Sequence, residues 1–136
     1  MTSLQVHLDE YCKAFNNRAL DAALHLFSAH ALFEMPLLGQ RLVGAPEIQA
    51  GLRCIFSVTE SAAIELPSIE ESPRAIIGEG RLRAKLHRDR SEVEMPLAVV
   101  LEARDGSITR LSQYLDARLY RLWSDGPIFA QSASEK

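Results

Sequence analysis

Apolar residues near the start of the chain recur at spacings of three and four. Leu4, Leu8, Tyr11, Cys12 and Phe15 share one face of a helix predicted over residues 3–16. Asn16 and Asn17 interrupt that pattern and suit a turn or cap. A second helix follows, with Leu20, Ala23, Leu24 and Phe27 on one side. The run Ala31-Leu32-Phe33-Glu34-Met35, ended by Pro36, reads as a short strand. Gly39 and Gly44 bracket a loop. Pro46 fits the first turn of a third helix, with Glu47 beside it and Ile48, Leu52, Ile55 and Phe56 as the apolar stripe.

After Ser57 the period changes from about 3.6 to about 2. Four strands are predicted, over 62–70, 75–87, 92–103 and 107–119. Turn chemistry separates them: Glu71-Ser72-Pro73, Arg88-Asp89-Arg90-Ser91 and Asp105-Gly106. Connections this short make neighbouring strands antiparallel. Three helices ahead of such a sheet predict an α+β domain with the helices on one sheet face.

The chain has 136 residues, which predicts one domain over 1–136 with a frayed tail at 132–136. A net charge of -3 gives no general attraction to nucleic acid or to an anionic membrane. No apolar run reaches the roughly 20 residues of a membrane span. The start, MTSLQVHLDEY, lacks the basic and continuous apolar regions of a secretory signal. Cys12 and Cys54 fall among apolar residues and read as buried free thiols of a reducing cytoplasm. His7 and His25 lie off the apolar stripes and read as solvated. With His30 and His87 they make no metal-ligand spacing, so neither a metal nor another cofactor is expected.

The tetrapeptide EMPL occurs twice, at 34–37 and at 94–97. On the strand before the second copy, alternation places Arg81, Arg83 and Lys85 on one face and Leu82, Ala84 and Leu86 on the other. A turn at Arg88–Ser91 would set Lys85 opposite Glu94 as a surface pair, with Met95 inward. The first copy is apolar at every preceding position, so alternation does not orient it. Glu34 is either a surface carboxylate or an inward one whose raised pKa would suit proton transfer. On the last strand Gln113 shares the apolar face of Leu111 and Leu115, whereas Tyr114 and Asp116 take the opposite parity. A lone amide there must find a partner in the protein, a water or a ligand. Tyr11 likewise puts a polar tip on an apolar helix face, and in a pocket it could donate to a developing oxyanion.

The stretches YCKAFNNRALDAALHLFSAHALFEMPLLGQRLVGAPEIQAGL and MPLAVVLEARDGSITRLSQYLD resemble the nuclear-transport-factor-2-like superfamily in its SnoaL-like branch. The resemblance spans roughly residues 4 to 122. It implies a cone, with three helices closing a strongly curved, mostly antiparallel sheet around an apolar pocket, and a homodimer through the outer sheet face. The back half resembles limonene epoxide hydrolase. That family uses an Asp-Arg-Asp set, whose Arg and first Asp would fall on Gly80 and Leu82 and whose second Asp would fall on Gln113, none of which suits the activation of water. The front half resembles ketosteroid isomerase. Its oxyanion-donating Tyr matches Tyr11, its proton-carrying Asp falls on Met35 beside Glu34, and its second acid falls near Ala98. The last-strand acid of the SnoaL cyclases has Asp116 as its nearest counterpart.

The expectation is an enzyme of isomerase, cyclase or epoxide-hydrolase type acting on an apolar cyclic metabolite. Tyr11, Glu34 and Asp116 would be its catalytic residues. Phe15, Met35, Leu52 and Phe56 would line the pocket from the front half, and Leu82, Met95, Leu111, Gln113 and Leu115 from the sheet. The alternatives are a non-catalytic binder of a hydrophobic molecule and a dimerisation module. The apolar segments 119–123 and 126–129 would cover the pocket mouth or a partner.

Overall fold

The computed structural model describes residues 3–116. Helix α1 (Leu4–Asn16) starts where the Ser3 hydroxyl accepts from the Gln5 N–H. Helix α2 spans Leu20–His25 and α3 spans Ala45–Val58. Six strands form one sheet: β1 (Phe27–Met35), β2 (Gln40–Val43), β3 (Thr59–Glu71), β4 (Ile76–Leu86), β5 (Glu92–Arg104) and β6 (Ser107–Leu115). Their order is β2-β1-β6-β5-β4-β3. All neighbours are antiparallel except β1 and β6, which run parallel. The architecture is the expected α+β cone, three helices on an open, mostly antiparallel sheet.

Three expectations of the pattern are corrected. Phe27 opens β1 rather than closing α2, because the second helix is only six residues long. Residues 40–43 form strand β2 rather than a loop, with Gln40 and Leu42 inward and Arg41 and Val43 outward. The third hairpin register is two residues off the expected one. Arg83, not Lys85, is opposite Glu94, and Lys85 is opposite Glu92. The predicted segments 119–123, 126–129 and 132–136 lie outside the described residues.

Sheet curvature has a local cause. The β3–β4 register jumps from Glu65↔Arg81 to Ser68↔Glu79, so Leu66 and Pro67 bulge opposite Gly80. A Cβ on Gly80 would sit 1.8 Å from the Glu65 carbonyl oxygen, so only glycine admits the bulge. At the β5–β6 hairpin, Asp105 and Gly106 both take positive φ (54° and 81°). A two-residue turn needs this to match strand twist.

The helices are tied to the sheet by polar clamps as well as by apolar packing. The Asn16 side chain exchanges two hydrogen bonds with the Ile64 backbone (3.1 and 2.7 Å), meeting groups that edge strand β3 leaves open. Arg18 donates to the Phe56 and Thr59 carbonyls at the end of α3 and stacks over the Phe56 ring.

Candidate functional site

The sheet's two faces divide the candidate residues. On the helix-facing side stand Phe33 and Met35 from β1, Gln40 and Leu42 from β2, and Leu111, Gln113 and Leu115 from β6. Leu82 and Met95 pair across β4 and β5 on the same side. From the helices, Tyr11, Phe15 and Leu52 are buried and Phe56 is half-buried. All nine residues expected to line a pocket therefore belong to one interior. The two EMPL copies do the same thing: Met35 and Met95 point in, Glu34 and Glu94 point out.

Tyr11 is the polar centre of that interior. It is fully buried, and its hydroxyl donates to Gln113 Oε1 at 2.9 Å. Its ring contacts Phe15 (6.1 Å between centroids), Phe27 (6.1 Å) and Phe33 (6.5 Å). Burial pushes the phenol well above its usual 10.0, and neighbouring Cys12 adds in the same direction. The Cys12 thiol is itself pushed up to about 12, by burial first and then by the Asp9 charge. It is thus a thiol rather than a thiolate near neutrality.

Glu34 and Asp116 are not brought to Tyr11. Glu34 lies on the outer face, where it accepts from the Ser112 hydroxyl (2.7 Å) and from Arg110 Nε (3.4 Å). Arg110 also pairs with Glu102. Burial alone would lower the Arg110 pKa, but hydrogen bonds and attraction from Glu102 and then Glu34 outweigh it and raise it. The reason for Glu34's orientation is pairing parity: Phe33 and Met35 fill the core, so the residue between them cannot. Asp116, one residue past the end of β6, borders a depression of about 360 Å³ with Tyr114, Ala98, Leu97, Leu115 and Leu37.

The basic row on β4 is a surface network. Glu65 of β3 accepts from both Arg83 (2.7 Å) and Arg81 (3.3 Å), and Arg81 also reaches Glu94 (3.2 Å). The role of Glu65 was not legible, because β3 carries a bulge. His7, expected to be solvated, is buried. It precedes Tyr11 by one helical turn and borders a depression with Glu71, Ser72 and Asp105. Its spacing to Tyr11 and Ala14 was the available signal. Gln40 was missed altogether: it is 4% exposed and its Oε1 has no hydrogen-bond donor among the described residues.

The buried polar residues among those described are His7, Gln40, Thr59, Ser112 and Gln113, together with the Tyr11 hydroxyl. That set holds no carboxylate. Among the described residues, no three His, Cys, Asp or Glu side chains converge as a metal site would need. No helix there is long and apolar enough to cross a membrane.

The SnoaL-like domain profile matches residues 8–111. The chain belongs to the SnoaL-like domain family. Structural likeness agrees with this in fold. A candidate SnoaL-like polyketide cyclase from Shewanella denitrificans superposes with a TM-score of 0.76 at 13% identity, over 90% of this chain and 94% of that one. A candidate isomerase from Bacillus subtilis gives 0.76 at 18% identity, over 90% and 93%. A hypothetical protein with a ketosteroid isomerase-like fold from Catenulispora acidiphila gives 0.74 at 16% identity, over 79% and 83%. At these identities the likeness is one of fold. No protein of curated function matches the sequence. In this member of the SnoaL-like family, the phenol on α1 has an amide, Gln113, as its partner.

Proposed function

We propose that the interior of this chain binds an apolar cyclic metabolite by a carbonyl or hydroxyl oxygen, with the Tyr11–Gln113 pair at the polar end. One observation carries the reading: a phenol and an amide, hydrogen-bonded at 2.9 Å, are buried together among apolar side chains. Small-molecule sites combine such linings with a few convergent polar groups. The cyclase and isomerase descriptions of the fold neighbours support the ligand class. The chemistry open to these groups is orientation and polarisation. Tyr11, turned from Gln113 to a ligand oxygen, would stabilise negative charge developing there. Between turnover with Glu34 or Asp116 as proton carrier and binding without one, the outward position of Glu34 favours binding.

A thermal-shift screen with terpenoids, steroids and aromatic polyketides tests this. Ligands that stabilise the wild type should lose their effect in Y11F and Q113L and keep it in E34Q and D116N. Dependence on either carboxylate would restore the proton-carrier reading. Indifference to Tyr11 and Gln113 would remove the present one.

We also propose a homodimer through the outer sheet face. The observation favouring it is the exposure of large apolar side chains there: Ile77 at 44% and Val43 at 49%.

A further inference from the structure

One polar atom in the core has no partner among the described residues. Gln40 is more than nine-tenths buried, yet its Oε1 meets no donor there. Native interiors rarely tolerate this, because the carbonyl oxygen has given up water without replacing it. Its placement is informative. Gln40 pairs with Met35, and Gln113 follows Ser112, the β6 partner of Glu34. Gln40, Met35 and Gln113 therefore stand in one row on the helix-facing side. Two strand spacings, roughly 10 Å, separate the two glutamine backbones. Between them lies a methionine, whose unbranched thioether adapts its shape more readily than any other apolar side chain of its size.

We infer that Gln40 is the second anchor of the interior site. The ligand is then an elongated, apolar ring system with an oxygen at the end that meets Tyr11 and Gln113. At the end that meets Gln40 it carries a hydrogen-bond donor, a hydroxyl or N–H. This inference rests on the reading that the interior takes a ligand, and it names that ligand's class. The donor requirement follows from the acceptor: a ketone, ether or halogen at that end would leave Oε1 as unsatisfied as before. A site built around a buried polar group discriminates strongly against an analogue that fails to pair with it.

The probes are 4,4′-dihydroxybiphenyl, 4′-fluoro-4-hydroxybiphenyl and biphenyl, titrated calorimetrically into the full chain. The fluoro compound has nearly the diol's shape but cannot donate at its second end. Wild type should bind the diol at least about tenfold more tightly than the fluoro compound, the factor expected of one buried hydrogen bond. Q40M should remove that preference, and ligand-free Q40M should melt no lower than wild type, since it loses an unpaired acceptor. Equal affinities of wild type for diol and fluoro compound, or an unchanged preference in Q40M, would overturn the inference. A melting point several degrees lower in Q40M would do so as well, because Gln40 would then have a partner in the protein. If one of these overturning results comes with phenol binding that depends on Tyr11, the proposed function stands while the Gln40 anchor falls. Failure of all three probes to bind wild type would take both down.

Discussion

With its hydroxyl on Gln113 and its ring among Phe15, Phe27 and Phe33, Tyr11 cannot ionise without burying a charge. Its pKa in the fold therefore lies well above the 10.0 of an exposed phenol. In the unfolded chain it titrates near that ordinary value. At higher pH the unfolded state loses this proton while the folded state keeps it, so stability must fall as pH rises. The contribution is complete below about pH 10 and is lost as pH climbs through the folded-state pKa. Y11F should destabilise the protein at neutral pH by roughly 1–3 kcal/mol, since Gln113 loses its donor. It should also flatten the alkaline decline. Urea midpoints for both proteins at about pH 8 and about pH 11, with phenolate absorbance followed alongside, check this. A Y11F curve with the same alkaline slope as wild type would assign the decline elsewhere.

At the scale of elements, strand β3 depends on a residue in its neighbour. Gly80 leaves room for the Glu65 carbonyl and the Pro67 ring, and with them for the bulge that bends the sheet's edge. The obstacle to a side chain is backbone, which cannot swing aside. G80A should cost at least about 2 kcal/mol, read as a lower melting temperature, while G106A tests the separate effect of a turn. An unchanged melting temperature in G80A would mean the bulge is not fixed by this contact. The helices α1 and α3 and the strands β3 to β6 were legible because each carries a sustained period, and the period settles parity: Leu82, Met95, Leu111 and Gln113 were placed inward from alternation alone. Strand β2 was not legible. Four residues between glycines are too few for a period, and its pairing with β1 is a tertiary choice. Glu34 was undecided for a related reason. The residues before it are apolar at every position, so its parity is readable only once Phe33 and Met35 are seen to be buried. Gln40 was beyond reach because it shows its significance only by lacking a partner.

Taken as a whole, the outer face of the sheet is rich in charged side chains, yet it is not uniformly polar. The row Ile77, Val100, Ser112, Glu34, Arg41 crosses five strands from an exposed isoleucine to a charged edge. The adjacent row carries Glu102, Arg110, Leu32 and Val43. Ser112 is fully buried although it lies on this face, because Glu34 bonds to its hydroxyl and the surrounding side chains close over it. Such a face, with saturated charges at its centre and apolar groups toward both ends, suits a second copy of itself about a two-fold axis, where each apolar end can meet a like surface. Monomeric proteins rarely leave extended apolar patches in water, and a stable pairing needs about 800 Å² from each partner. Sedimentation should therefore give a particle of twice the 15.1 kDa chain mass. The double variant V43R/I77R changes only exposed side chains, so it should keep the wild-type melting behaviour at high dilution while sedimenting as a monomer. A wild type that sediments as a single chain at high concentration, or a variant that still pairs, would exclude this face as the contact. The interior site is then indifferent to assembly, because every residue assigned to it lies on the opposite side of the sheet.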